Sequence, residues 1–216
     1  MAGILDLLNS EMGSTIISGV AGSTGTDKAK TSSVLTMALP VLMKAMERNA
    51  STPEGAQGLM GAINNKHNGS ILDNLGGLFG GGVNESVKQD GEGILDHILG
   101  SKKHGVEQVI GQKAGLDASS VSNILRVAAP ILMGILGKQA KQNNVNSQSG
   151  ITDLLGSLLG GASKSGPVTT EQSFLEKILD ADGDGSVIDD VAGMFLGGKN
   201  ESSGGIGGAL GGLFGK

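Results

Sequence analysis

Residues 1–50 align with residues 91–140 without a gap, and this offset of 90 constrains the fold more than any other feature of the chain. Gly3-Ile4-Leu5-Asp6 recurs as Gly93-Ile94-Leu95-Asp96, and Gly25 and Asp27 recur as Gly115 and Asp117. Leu35, Ala38, Pro40, Leu42 and Met43 recur as Leu125, Ala128, Pro130, Leu132 and Met133. The match resumes at a shorter offset. Ile71, Asp73, Leu75-Gly76 and Leu78 return as Ile151, Asp153, Leu155-Gly156 and Leu158. One block could arise by chance, but an ordered series at consistent spacing reads as two tandem copies of one unit.

The period inside each copy predicts an all-α fold. Val34, Leu35, Ala38, Val41, Leu42, Ala45 and Met46 recur every three to four residues, a helical stripe. The second copy carries Val121, Ile124, Leu125, Ala128, Ile131, Leu132, Ile135 and Leu136. Asp117 suits an N-cap, with Leu116 and Val121 as a hydrophobic staple. Pro40 and Pro130 sit inside the stripes, and each predicts a kink or a break, since proline donates no backbone hydrogen bond.

Shorter amphipathic helices are expected before the long ones, Ile16 to Ala21 and Val106 to Ala114. Another is expected after the first, with Thr52 as cap and Pro53 in the first turn. Lys141 to Gly150 reads as a polar loop. Leu75-Gly76-Gly77-Leu78-Phe79-Gly80 reappears letter for letter at 210–215, and Leu155-Gly156-Ser157-Leu158 is a variant. The Leu75 and Leu155 segments read as short helices closing each bundle, with glycines that allow close approach but weaken the helix, whereas the copy at 210–215 could dock back on this chain, on another copy or on a membrane. The expected organisation is a first helical unit at 1–82, a second at 91–162, a helix–loop–helix at 169–198 and a glycine-rich tail with a short apolar helix at 199–216.

Composition narrows the function. The net charge of -5 argues against a general nucleic-acid binder, which needs a basic surface to displace counterions. Tyr and Trp are absent and only four Phe are present, so stacking platforms for bases are scarce. The absence of cysteine removes disulfides, thiolate nucleophiles and Cys-ligated zinc. The N-terminus lacks a secretory signal pattern, and no uninterrupted apolar run reaches about 18 residues. A cytoplasmic location is the default expectation, with export by a signal-independent route left open. His67, His97 and His104 lack the spacing of a helical zinc pair and read as exposed or rim residues.

One local cluster carries recognisable chemistry. Asp180, Asp182 and Asp184 occupy positions one, three and five of a calcium loop, with Gly185 at the turn. Ser186 offers its backbone carbonyl at seven, and Asp189 and Asp190 fall at ten and eleven. Helices are expected on both sides, with Phe174, Leu175, Ile178 and Leu179 lining the first. Val191 stands where a full EF-hand loop has its bidentate glutamate. The missing ligand predicts weak Ca²⁺ binding, with a dissociation constant of roughly 10⁻⁵ to 10⁻³ M. The bland alternative is an acidic surface turn without an ion.

The residues Asp27, Ala38-x-Pro40-x-Leu42-Met43 and Ile71-Leu72-Asp73-x-Leu75-Gly76, with their second set, resemble the bacterial DUF937, or YidB-like, family. The resemblance covers about residues 3–197, acidic segment included. It implies a helical fold and a cation site, and it brings no catalytic residues.

Three functional readings follow. The first is a non-catalytic structural or interaction protein that self-associates or binds a protein partner, with one Ca²⁺-stabilised loop. The second is an enzyme whose site is assembled from Asp6, Asp73, Asp96 and Asp153, which otherwise read as caps and surface charges. The third is membrane association through the apolar glycine-rich ends.

Overall fold

A computed structural model describes residues 3–163, which form an all-α fold with no strand among them. The helices are α1 (Ile4–Leu8), α2 (Glu11–Thr24), α3 (Lys28–Ala50), α4 (Pro53–Asn65), α5 (Ser70–Asp73), α6 (Leu75–Gly80), α7 (Glu85–Leu99), α8 (Lys103–Ala114), α9 (Ala118–Gln142) and α10 (Gln148–Ser163). A short 3₁₀ turn, Gly100–Lys102, joins α7 to α8.

Local chemistry sets the helix ends. Gly25 (φ 66°) and Gly115 (φ 64°) take the left-handed conformation at the ends of α2 and α8. The next residues close the turns, with Thr26 N–H donating to the Ala21 carbonyl (3.1 Å) and Leu116 N–H to the Gly111 carbonyl (2.9 Å). Asp27 caps α3 by accepting from the backbone N–H groups of Ala29 (2.9 Å) and Lys30 (3.1 Å). Asp117 caps α9 by accepting from Ser120 N–H (2.9 Å). Thr52 caps α4 with Pro53 in the first turn, as its sequence predicts.

Two expectations about the helices need correction. Of the kink or break expected at each proline, the break does not occur: α3 runs unbroken through Pro40 and α9 through Pro130. Tertiary packing offsets the lost bond, since Ala38, Leu39, Val41 and Leu42 around Pro40 are all buried. The polar segment Lys141 to Gly150 is not one loop. Helix α9 extends to Gln142 and α10 begins at Gln148. Helix α2 is also longer than the stripe from Ile16 to Ala21, because Ser10 caps it at Gly13 N–H (3.2 Å).

The packing is crosswise. Helix α10 lies on α3, α1 and α4, whereas α5 lies on α9. The Leu155 segment therefore seats mainly on α3, not on its own long helix as expected, whereas the Leu75–Gly80 segment, α6, packs on α2 beside its own long helix. Ile151, Leu154, Leu155 and Leu158 are buried, and fully burying such a side chain is worth about 1.5–3 kcal/mol. On the other side, Gly134 makes room for Ile71 and Gly137 for the backbone at His67. Helix α8 packs on α9 and α3, α7 packs most closely on α9, and α2 touches α3, α6 and α9. One hydrophobic cluster results, running from Ile4 to Leu158.

Helix α9 is long and apolar enough to cross a membrane, with a mean hydropathy of 1.5 over its most apolar stretch. Here it is the central core helix, with 78% of that stretch inside the bundle.

Candidate functional site

The residues predicted to hold calcium, Asp180, Asp182, Asp184, Ser186, Asp189 and Asp190, lie outside the described residues. So do the flanking helices expected at 169–198 and the hexapeptide at 210–215. Among the described residues, no group of three or more His, Asp or Glu side chains is arranged to hold a metal ion.

The four carboxylates of the alternative enzyme reading sit on α1, α5, α7 and α10, and all are exposed. Asp6 accepts from Gly3 N–H (2.9 Å) at the start of α1. Asp96 pairs with Lys103 (2.7 Å). Both serve local structure.

The histidines divide. His97 and His104 are exposed, as predicted. His67 is not: it is buried, with Nε2 3.5 Å from an Asp90 carboxylate oxygen. Its backbone sits on Gly137 of α9, and this long-range contact carries the ring inward. Burial lowers its pKa, with Asp90 opposing that effect and Lys66 adding to it.

The densest polar arrangement joins α7, α8 and α9. Glu92 and Asp96 stand one turn apart on α7, and Lys103 at the start of α8 pairs with both. Burial of Lys103 disfavours its charge, but hydrogen bonds from it to Asp96 and Glu92 outweigh this and raise its pKa. Arg126 on α9 reaches Glu92 through Nε (3.2 Å) and Glu85 through a terminal nitrogen (3.4 Å). Its Nε also donates to the Lys88 carbonyl (3.4 Å). One turn after Lys103, Glu107 is buried at 5% exposure, with Ser122 of α9 beside it. Its Oε1 has no hydrogen-bond partner among the described residues.

Sequence reasoning did not single out this cluster. Its signal is Glu107 itself, an acid set in the apolar stripe of Val106, Val109 and Ile110. The pairing of Lys103 and Arg126 with α7 had no comparable signal, because it depends on how three helices meet.

A shallow open groove lies between α2 and α6, where Phe79 rests on Gly19 beside Gly22, Leu75 and Gly76. Small and apolar side chains line it, and none of its lining residues is ionisable.

The family model described as "Bacterial protein of unknown function (DUF937)" matches residues 6–139 as one span, from α1 into α9. No curated protein and no solved structure matches the chain.

Proposed function

The chain belongs to the DUF937 family, and we propose that it is a non-catalytic structural or interaction protein, a helical scaffold that self-associates and carries one Ca²⁺-stabilised loop on its C-terminal segment. The observation that carries this reading is the crosswise seating of α5 on α9 and of α10 on α3. These two crossings tie both parts of the chain into one core, which suits a rigid carrier. The same exchange made between two chains would give an assembly, because swapping identical elements needs no new contact chemistry.

Matched details support the tandem-unit part of the proposal. Gly25 and Gly115 end corresponding helices in the same conformation, Asp27 and Asp117 cap the long helices, and Pro40 and Pro130 lie within them. The calcium part rests on alternating carboxylates and the turn glycine at 180–185, which suit a hard cation.

Light scattering and calorimetry on the full chain, with and without millimolar Ca²⁺, test the proposal. Binding heat together with a mass above that of one chain supports it. A monomer at high protein and calcium concentration overturns the self-association, and absence of binding heat overturns the calcium loop.

A further inference from the structure

Glu107 is a carboxyl group held out of water with one oxygen idle. Its neighbours are already committed elsewhere. Glu85 pairs with Lys88 (3.4 Å) and Arg126 (3.4 Å), Glu92 with Lys103 and Arg126 (3.2 Å), and Asp96 with Lys103 (2.7 Å). Three carboxylates thus share Lys88, Lys103 and Arg126, and the fourth, Glu107, is left without an ion pair among the described residues. An ionised carboxylate in such a place pays a desolvation cost that no ion pair offsets, whereas a neutral carboxyl does not.

We propose that Glu107 holds α8 against α9 while its carboxyl is neutral, and that losing the proton loosens the two helices. It is a proton-operated latch. Glu107 is buried on α8, which packs on α9 with Ser122 beside the carboxyl, so the group sits in the seam it would open. Burial is the main influence raising the pKa of this group. The Ser122 hydroxyl, Lys103 and His104 oppose it, and Glu92 on α7 reinforces it. Arg126, the nearby cation of α9, is held by Glu92 and Glu85. Helix α3, also packed on α8, places Lys30 at the far end of α8, where Nζ donates to the Gly115 carbonyl (3.0 Å).

The test is carbon NMR of glutamate side-chain carboxyls in the full chain, titrated across the acid and neutral range. One resonance should titrate at least about one pH unit above the others, a tenfold difference in proton affinity, and should be missing from E107Q. K103M should move that midpoint further up by removing the nearby positive charge. Amide exchange in α8 of the wild type, compared with E107Q, should accelerate through the same midpoint. Glutamates that all titrate together, or α8 protection that stays parallel in the two proteins, would overturn the latch. Should E107Q fail to fold, the wild-type midpoint and its K103M shift decide alone, and coincident titration of all glutamates would overturn it.

Discussion

The carbonyl oxygen of His67 lies against Gly137, only 1.9 Å from the point that a Cβ at position 137 would occupy. The obstacle is backbone and cannot swing aside. Gly137→Ala should therefore destabilise the protein by about 1–3 kcal/mol, although alanine is the better helix former by about 1 kcal/mol. Gly93→Ala, in the exposed middle of α7 with open space around it, should instead stabilise by about 0.5–1 kcal/mol. Urea denaturation of both variants checks the pair. A stabilised Gly137→Ala protein would show that the segment around His67 is not seated on α9.

Crosswise packing makes a spatial prediction. Leu155→Ala removes a fully buried side chain from α10 and should cost about 2–5 kcal/mol. The loss should appear first in α1 and α3, where α10 is seated, and only later in α9. Hydrogen exchange resolved by helix reads the order. Earlier loss of protection in α9 would contradict the seating of α10 on α3.

Acid should weaken the start of α9. Hydrogen bonds from the Ser119 hydroxyl, and from the backbone and hydroxyl of Ser120, hold the Asp117 carboxyl well below its usual pKa. A lowered carboxylate pKa contributes stability above the ordinary value of 3.8, and that stability is lost as pH falls through the folded value. Asp117→Asn keeps a capping oxygen but not the charge. Its melting temperature should depend less on pH in the acid range than that of the wild type.

His67 acts on the neutral side. Its lowered pKa means that the folded state favours the uncharged ring. That stability is complete above the ordinary value of 6.5 and is lost as pH falls below it, because the unfolded chain takes up the proton first. His67→Gln should flatten this part of the stability profile. An unchanged slope between the two proteins would place the ring in water.

Calcium should act through the segment 180–190. Asp182→Ala combined with Asp184→Ala should abolish calorimetric binding of Ca²⁺, which in the parent chain is expected at roughly 10⁻⁵ to 10⁻³ M. Equal binding heats would assign the ion elsewhere.

The parts of this fold legible in the sequence are those governed by neighbours within one or two helical turns. The apolar stripes marked α3 and α9, and Thr52 and Asp117 marked helix starts, because caps act within three residues. Pro40 and Pro130 mark the limit of that reasoning. A local hydrogen-bond deficit was visible, but the packing that carries each helix through was not. The seat of α10 on α3, the burial of His67 and the joining of Glu92 to Lys103 and Arg126 were decided only in three dimensions. Each depends on where separate helices meet, and a hydrophobic stripe states that it must be covered without stating by which partner.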